Sequence, residues 1–332
     1  MRALVTGAGG FLGQYLVQQL LERGDQVRCV ARGHYPQLER WGAECRQGDL
    51  RDPQVAAAAC EGRDVVYHAA GVAGIWGPWQ HYHSINTLAT CNIIAGCSQH
   101  RVPRLVYTSS PSVTFDGGDQ RGVDESVPYP TKWLCHYPHS KALAEQHVLR
   151  AHGQDGLSTC SLRPHLIWGP RDRHLIPRLL QRAREGRLRR VGDGRNQIDM
   201  VYVENAAAAH LQAADALGDG GSAGGRAYFI SQGEPVNCWD WINEILHLAN
   251  IPPITRGISF RMAWRIGAAM EAVYGAFHLR GEPRMTRFLA AQLAKDHYFD
   301  IRRAREDFAY SPQISTAEGM RRLAADLAAS DV

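Results

Sequence analysis

Residues 3–13 read ALVTGAGGFLG, and this stretch decides the fold. It opens with a short apolar run and continues into three glycines at GxxGxxG spacing: Gly7, Gly10 and Gly13. Leucines then recur at helical spacing: Leu12, Leu16 and Leu20. Gly24 supplies the stop signal. The pattern predicts a strand, a tight glycine turn and an amphipathic helix in direct succession.

The glycine turn has the chemistry of an anion site. Glycine permits a tight turn and lets a ligand approach the backbone closely. The helix that follows presents unpaired N–H groups and a partial positive charge at its first turn. We therefore expect Gly7, Gly10, Phe11, Leu12 and Gly13 to hold the diphosphate of a dinucleotide. The alternative is a glycine turn that serves the fold alone.

Further strands and helices alternate along the first half of the chain. Apolar strand patterns occur at four more places: 27–30, 64–68, 104–108 and 157–163. This order predicts an α/β fold of the Rossmann type, a doubly wound parallel sheet with helices on both faces. We expect residues 1–170 to form the dinucleotide-binding core, completed by strands near 198–203 and 227–231. A smaller, mostly C-terminal region, 171–197 and 232–332, would bind the substrate.

Composition narrows the classes of protein further. The 332 residues are 45% hydrophobic and 21% charged, with a formal net charge of +4, so the balance gives little reason to expect nucleic acid. The eight cysteines form no CxxC pair, which favours buried thiols in a reducing, cytoplasmic compartment. No apolar run is long enough for a membrane span. His81 and His83 lack carboxylate or thiol neighbours, so no metal site is expected.

The ends of the second, third and fourth strands indicate which dinucleotide binds. The second strand ends at Ala31 and Arg32, where a carboxylate would otherwise accept hydrogen bonds from the ribose hydroxyls of NAD. An arginine can pair with a 2′-phosphate, which favours NADP(H) over NAD(H). The remaining cofactor contacts are expected after the third and fourth strands: Asp49, Leu50, His68, Ala69 and Ala70.

A second motif, Tyr137-Pro-His-Ser-Lys141, predicts a proton-transfer pair. Residues four apart share one face of a helix, so Tyr137 and Lys141 are neighbours. A nearby ammonium lowers the pKa of a phenol, and Lys141 could also hydrogen-bond a nicotinamide ribose. Ser110 follows the 104–108 strand, at the sheet edge where ligands bind, and could orient a substrate carbonyl. A YxxxK match alone is common on helix surfaces, so the motif gains its weight from these neighbours.

Taken together, these motifs resemble the extended short-chain dehydrogenases/reductases. The glycine motif, His68-Ala-Ala-Gly71, the Tyr107-Thr-Ser-Ser110 strand end, YxxxK and Leu162-Arg-Pro164 occur in the order and spacing of that family. Residues 103–110, 162–170 and 228–231 resemble its 3β-hydroxysteroid dehydrogenase branch more narrowly. The resemblance implies that Tyr137 is the catalytic acid/base, Lys141 its activator and Ser110 the carbonyl-orienting hydroxyl. It also implies that Arg163 and Pro164 border the nicotinamide, and that the protein is a homodimer.

The resemblance also implies a class of substrate. Segments 73–77, 110–114 and 191–194 resemble bacterial reductases of long-chain olefin biosynthesis, which act on the 3-oxo group of 2-alkyl-3-oxoalkanoates and belong to lipid metabolism. Oxidation of a 3β-hydroxysteroid is the first alternative. A nucleotide-sugar epimerase or dehydratase is less favoured, because Ile198 stands where such enzymes carry a phosphate-binding arginine. A catalytically inactive NADP sensor would not need Ser110, Tyr137 and Lys141. Association with other enzymes of the pathway is a further expectation.

Aromatic and apolar residues predict a hydrophobic substrate pocket for a long-chain β-keto acid or a sterol-like molecule. The candidates are Trp76, Trp79, Tyr82, Trp239, Trp241, Met262, Trp264, Met270 and Tyr274. Ordinary core packing is the competing interpretation for each. The segment 258–279 is expected to be a helix that lies over the pocket, on a membrane or on a partner enzyme. Nine arginines between 171 and 195 favour a solvated helix face, with an acidic headgroup or a coenzyme A-like tail as the alternative.

Overall fold

The chain folds around one large parallel sheet with helices on both faces. The computed structural model describes residues 1–218 and 221–330. In that part of the chain the strands are β1 (Arg2–Thr6), β2 (Gln26–Ala31), β3 (Glu44–Gln47), β4 (Val65–His68), β5 (Arg104–Thr108), β6 (Gln120–Val123), β7 (Ser158–Pro164), β8 (Ile167–Trp168), β9 (Arg190–Val191), β10 (Gln197–Ile198), β11 (Val201–Tyr202), β12 (Arg226–Ile230), β13 (Val236–Asn237), β14 (Gly257–Ile258) and β15 (His297–Phe299).

Thirteen α-helices connect and cover these strands within the described residues. They are α1 (Phe11–Glu22), α2 (Pro36–Arg40), α3 (Pro53–Cys60), α4 (Trp79–Tyr82), α5 (Ala89–Gln99), α6 (His136–Arg150), α7 (Leu175–Arg184), α8 (Val203–Ala216), α9 (Cys238–Leu248), α10 (Phe260–Ala276), α11 (Arg287–Ala294), α12 (Arg302–Phe308) and α13 (Thr316–Ser330). A π-helical turn, His83–Leu88, joins α4 to α5, and 3-10 turns occur at Pro111–Thr114 and Gln154–Gly156. None of the described helices combines the length and the apolar character that crossing a bilayer requires.

The main sheet has the strand order β12-β7-β5-β4-β1-β2-β3, and all its pairs are parallel. The order reverses between β1 and β4, which both pair at their carboxyl ends, Thr6 opposite His68. Ligands bind doubly wound sheets in the crevice at such a reversal. The sheet therefore places the glycine turn beside the segment that follows β4, and the expected fold class is confirmed.

One expectation about the core was wrong. The strand expected near 227–231 joins the main sheet as β12, but the one expected near 198–203 does not. That stretch forms β10, in a four-stranded sheet with β6, β13 and β15, and β11, which pairs with β8. Each has only two residues, because the chain turns at Asp199–Met200 and enters α8 directly. The arginine-rich helix α7 ends at Arg184, and a turn follows.

The core lies in separate layers on either side of the main sheet. One layer packs α1, α8 and α12 on the sheet, and the other packs α3, α5 and α6. The C-terminal residues build a third apolar cluster around Trp168, Trp239 and Trp241. Apart from the edge strand β3, the strands of the main sheet are mostly buried on both faces, which explains their largely apolar sequences.

Candidate active site

The glycine turn is shaped as a cradle that side chains would fill. Gly7 has φ +69°, and a Cβ built there would lie 2.7 Å from the backbone nitrogen of Ala70. A Cβ on Gly13 would lie 2.2 Å from the Gly7 carbonyl oxygen, so Gly13 allows α1 to pack on the turn. No side chain caps the first turn of α1, which begins after Gly10 and contains no acidic residue. Its unpaired N–H groups fit the diphosphate of a dinucleotide.

Phe11 and Leu12 open α1, and their backbones provide the first N–H groups of the helix. The Leu12 side chain is buried in the core, whereas the Phe11 ring meets the Tyr15 ring edge-on, with centroids 5.9 Å apart. Tyr35 covers the turn from the other side, because a Cβ on Gly9 would fall 2.1 Å from its ring. Tyr35 was not predicted, since only the tertiary structure brings the segment after β2 onto this loop.

A chain of hydrogen bonds ties the ends of β1 and β4 together through His68. The ring is fully buried, with Nδ1 2.7 Å from Thr6 Oγ1 and Nε2 2.9 Å from Thr90 Oγ1. Thr6 Oγ1 also accepts from the Ala70 N–H, at 3.2 Å. Burial lowers the pKa of His68 to about 3, so the imidazole is neutral. Its side chain therefore braces the segment containing Ala69 and Ala70, and the backbone of these alanines faces the glycine turn.

Charged groups gather after β2 and β3. Arg32 is exposed, and its carbonyl oxygen accepts from the Gln47 side chain at 2.8 Å. The Asp49 carboxylate accepts from Arg51, with the shortest contact at 2.5 Å. The Arg51 hydrogen bond is the main cause that lowers the pKa of Asp49, and the charge of Arg32 adds to it. Leu50 is buried against the sheet, so its side chain supports the loop and is not offered to a ligand.

The Tyr137–Lys141 pair lies at the start of α6, facing the carboxyl end of β5. The Lys141 ammonium donates to the Thr108 carbonyl oxygen at 2.5 Å and sits 4.3 Å from the centroid of the Tyr107 ring. Burial lowers the pKa of Lys141 to about 7, and the Glu145 charge opposes this effect. A Cβ built on Gly71 would lie 3.6 Å from Lys141 Nζ, so the loop after β4 passes directly beside the ammonium.

Ser110 faces the phenol of Tyr137, as the sequence motifs suggested. Burial raises the pKa of Tyr137, while the Ser110 hydroxyl acts in the opposite direction. The Lys141 ammonium, one helical turn further along α6, donates to the Thr108 carbonyl oxygen. The Ser110 hydroxyl also lies 2.9 Å from Ser112 Oγ, and Ser110 caps the 3-10 turn that follows it.

Two buried side chains that the motifs did not identify position the pair. Asn86 donates to the Ser140 hydroxyl at 2.9 Å and to the Val72 carbonyl at 3.0 Å, and it accepts from the Val72 N–H at 2.8 Å. Ser140 in turn donates to the Tyr137 carbonyl at 2.8 Å. Asn86 therefore links α6 to the loop after β4. It lies in the π-helical turn, and a helix-disfavouring asparagine inside an apolar helical stretch was the only available sequence signal.

The Arg163 side chain pairs with a carboxylate of α6. It lies on β7, and its guanidinium is buried against Glu145 of α6, with Nη2 2.6 Å from Oε1. Tyr129 and Ser161 donate to the same carboxylate, each at 2.7 Å. The arginine accordingly anchors α6 to the sheet. Pro164 ends β7 and is buried beside Ile230 of β12.

The predicted aromatic wall divides into three groups. Trp239 and Trp241 are buried in the C-terminal core. Tyr82 and Tyr137 have ring centroids 6.5 Å apart, and Trp76 meets Tyr274 of α10 edge-on at 6.2 Å. Trp79 stacks among three imidazoles: His83, His136 and His139.

Three further candidates lie on α10. Trp264 packs on the buried cluster of Phe115, Phe288 and Ala291, on which Leu134 and Cys135 also pack, and Met270 is half-buried. Met262 faces solvent, 51% exposed. Ile198, at the position that distinguishes the nucleotide-sugar enzymes, is buried in the C-terminal core, and its hydrocarbon side chain cannot donate a hydrogen bond to a phosphate.

Comparison with known proteins agrees with this geometry. Residues 4–254 match the model of the 3-beta hydroxysteroid dehydrogenase/isomerase family. The chain is 48% identical to the 2-alkyl-3-oxoalkanoate reductase of Stenotrophomonas maltophilia, covering 99% of this chain and all of that protein. It is 45% identical to the protein of the same name from Shewanella oneidensis, covering 98% of this chain and 86% of that one.

A solved structure, MoeE5 in complex with UDP-glucose and NAD, superposes with a TM-score of 0.77 over the whole of both chains at 24% identity, which shows a shared fold. The family match covers most of the chain and includes the glycine turn and the Tyr137–Lys141 pair. The protein is therefore an oxidoreductase that uses a nicotinamide cofactor, and it belongs to the 3-beta hydroxysteroid dehydrogenase/isomerase family within the extended short-chain dehydrogenases/reductases.

Proposed function

We propose that this protein reduces a ketone to a secondary alcohol with NADPH, and that the ketone is the 3-oxo group of a long-chain 2-alkyl-3-oxoalkanoate. The observation that carries the proposal is an intact Ser110–Tyr137–Lys141 set in a chain 48% identical, end to end, to a reductase named for that substrate. The pathway would be long-chain olefin biosynthesis, a branch of lipid metabolism.

Bound NADPH supplies the hydride. The first turn of α1 and the glycine turn would hold its diphosphate, and Arg32 would pair with the 2′-phosphate. The end of β2 carries no carboxylate that would repel the phosphate or pair with Arg32 in its place. Asp49, after β3, does lie close enough to Arg32 for the charge of Arg32 to lower its pKa. Lys141 is placed to reach the nicotinamide ribose, since its ammonium lies beside the loop after β4 at the sheet reversal.

Tyr137 donates the proton to the ketone oxygen as charge develops there, and Ser110 donates a hydrogen bond to the same oxygen. Because burial raises the pKa of Tyr137, the phenol is protonated at neutral pH. A protonated phenol is the form that reduction requires, whereas oxidation of an alcohol requires the phenolate.

Oxidation of a 3β-hydroxysteroid is the second candidate, favoured by the family model that matches residues 4–254. Both reactions use the same three residues, so they differ in substrate shape and direction. Three substrates should be compared. They are a racemic long-chain 2-alkyl-3-oxoalkanoate, the unbranched 3-oxoalkanoate of equal length, and a 3β-hydroxysteroid supplied with NAD or NADP.

The test measures NADPH consumption and NAD(P)H formation with each substrate, using purified full-length protein. We expect the branched ketoacid to give the highest kcat/KM and the steroid to give none. Faster turnover of the steroid than of both ketoacids would overturn the proposed substrate and support the second candidate. A Tyr137→Phe variant serves as the blank for NADPH loss that does not depend on the catalytic phenol.

We also infer a cytoplasmic location, a homodimer and association with other enzymes of the pathway. The eight cysteines, all of them free thiols, suit a reducing compartment. The homodimer is carried over from the family, whose members pair through helices that flank the active site. A condensing enzyme would supply the 3-oxoacid, and a ring-closing enzyme would consume the 3-hydroxyacid.

A further inference from the structure

Helix α10 exposes an apolar stripe to solvent. Seven large apolar side chains are exposed among the described residues, and five of them lie on α10 or directly after it: Met262 at 51%, Ile266 at 39%, Val273 at 46%, Phe277 at 72% and Leu279 at 45%. The first four are separated by four, seven and four residues, which places them on one side of a helix. Contiguous exposed apolar patches of this kind mark interaction surfaces.

The opposite side of α10 packs on the catalytic region. Ala263, Gly267 and Glu271 are buried, and a Cβ on Gly267 would lie 2.6 Å from the backbone of Thr286, so the helix crosses the start of α11 closely. Trp264 packs in the cluster that contains Leu134 and Cys135, next to Tyr137. The helix is therefore fixed by its inner side, and its outer side is left uncovered by the described chain.

Positive charge surrounds the exposed stripe. Four exposed arginines lie around it and form no ion pair within residues 1–218 and 221–330: Arg261, Arg265, Arg280 and Arg284. The acids between 256 and 288 are both neutralised, Glu271 by Arg287 and Glu282 by Arg178. An apolar stripe bordered by unneutralised guanidinium groups is the pattern of helices that lie in the plane of a membrane surface.

We propose that the outer face of α10 docks on an anionic lipid bilayer, with the stripe inserted at the level of the headgroups and the arginines paired with lipid phosphates. The positive charge of the four arginines favours an anionic bilayer over the other possible partners of this face. A second copy of the same face would bring like charges together, and a neutral apolar partner would leave the arginines without acceptors. At 17 residues, α10 is suited to lying on a bilayer and does not cross it.

A cavity beside α10 fits the phosphate part of this proposal. It has a volume of about 390 Å³ and is walled by Phe260, Trp264 and the 116–117 loop. Arg261, Arg265 and Lys295 line it, against one acid, Asp116. The Lys295 ammonium lies 5.2 Å from the Phe260 ring centroid. A headgroup phosphate placed there meets the two guanidinium groups and also the Lys295 ammonium, which lies 3.8 Å from an Asp119 carboxylate oxygen.

Docking through α10 would also shorten the path of a long-chain substrate, since Trp264 of the same helix shares a buried cluster with Leu134 and Cys135, just before Tyr137. This role in substrate delivery rests on the proposed function, whereas docking itself does not. Vesicle binding is therefore measured without substrate or cofactor, so that failure of docking and failure of the reductase activity are observed separately.

The experiment is co-sedimentation of the full-length protein with vesicles of phosphatidylcholine, with and without phosphatidylglycerol. We expect binding to the anionic vesicles that weakens with salt. Replacing both Val273 and Phe277 by serine should reduce partitioning by at least about tenfold. The matched control is Leu88→Ser, because Leu88 is equally exposed, at 46%, on another part of the surface, and we expect it to bind like the wild type.

The charge is tested by Arg261→Gln combined with Arg265→Gln, which should weaken anionic binding by about 20-fold. Arg101→Gln combined with Arg150→Gln removes equal charge from exposed sites elsewhere and should have little effect. Absent binding, equal binding to both kinds of vesicle, or equal losses in the test and control variants would overturn the proposal. Self-association that the Val273/Phe277 variant abolishes, without vesicle binding, would assign the face to a second copy.

Discussion

The Lys141 ammonium and the Thr108 carbonyl oxygen are 2.5 Å apart, and this contact joins α6 to the carboxyl end of β5. The ammonium is buried, and its charge is stabilised by this carbonyl and by the Tyr107 ring, 4.3 Å from the ring centroid. The free energy lost by burying the charge is nevertheless larger than the free energy gained from these two contacts, because the pKa of Lys141 falls from 10.5 to about 7. Stability and catalysis therefore share one titrating group.

Lys141→Met should change how stability depends on pH. Between pH 7 and 10.5 the unfolded chain binds the Lys141 proton more tightly than the folded chain, so the cost of burying the charge is full below pH 7 and gone above 10.5. The free energy of unfolding of the wild type, relative to Lys141→Met, should rise across this window by on the order of 4 kcal/mol. Urea denaturation at several pH values measures it. A difference that does not vary with pH would show an ordinary lysine pKa.

Tyr137→Phe should abolish proton donation without disturbing the cofactor site. We expect kcat to fall by about 10³-fold, because a positioned general acid contributes this much, while the Kd for NADPH stays unchanged. Tyr298→Phe, which removes a phenol hydroxyl from β15, is the control and should keep full activity. Steady-state kinetics and NADPH fluorescence titration give the two quantities. Substantial turnover by the Tyr137 variant would remove this residue from the mechanism.

Gly7→Ala should damage both folding and cofactor binding. Gly7 and Gly24 both have positive φ, +69° and +86°, but a Cβ meets Ala70 at Gly7 and nothing within 4 Å at Gly24. Gly24→Ala should thus cost only the backbone strain, about 1 kcal/mol. Gly7→Ala should lower the free energy of unfolding by clearly more than Gly24→Ala does, and it should weaken the binding of NADPH by at least about tenfold. Denaturation and titration of both variants test this. Equal losses of stability would mean that the cradle is looser than its contacts indicate.

Arg32→Ala should change the choice of cofactor. Loss of a charge-assisted contact with the 2′-phosphate should raise the Kd for NADPH by about 10- to 100-fold and leave the Kd for NADH unchanged. Arg40→Ala removes an exposed arginine from α2, close in sequence, and should alter neither. Titration of both proteins with both cofactors is the measurement. If NADPH binding survives in the Arg32 variant, another group selects the cofactor.

Replacing one member of the Glu145–Arg163 pair should destabilise the protein more than replacing both members together. Glu145→Leu leaves a buried guanidinium without its carboxylate and should cost about 3–5 kcal/mol. Arg163→Met should cost a similar amount, since it leaves the carboxylate to Tyr129 and Ser161. The double variant should lose less than the sum of the two. A double-mutant cycle by urea denaturation measures the coupling, and strict additivity would show that the two side chains are independent.

The local chemistry of the chain was enough for much of the site. Three glycines between a strand and a helix can form only a tight turn with free N–H groups, and residues four apart on a helix must share a face. Gly7 and the Tyr137–Lys141 pair were identified for these reasons. The same local periodicity predicted β1, β5 and α10, because each is defined by residues adjacent in sequence.

What the sequence could not determine depends on segments that are distant along the chain. Arg163 pairs with Glu145, which lies on a different element, and only the packing of α6 on β7 makes their charges meet. In the same way, Asn86 acquires its role from Val72 and Ser140, and β10 pairs with β15, which lies far along the chain. By itself the sequence determined the turns, the helix faces and the reactive groups, since these follow from neighbouring residues. The tertiary structure decided which buried charges and hydrogen bonds are satisfied, because that depends on which surfaces come into contact.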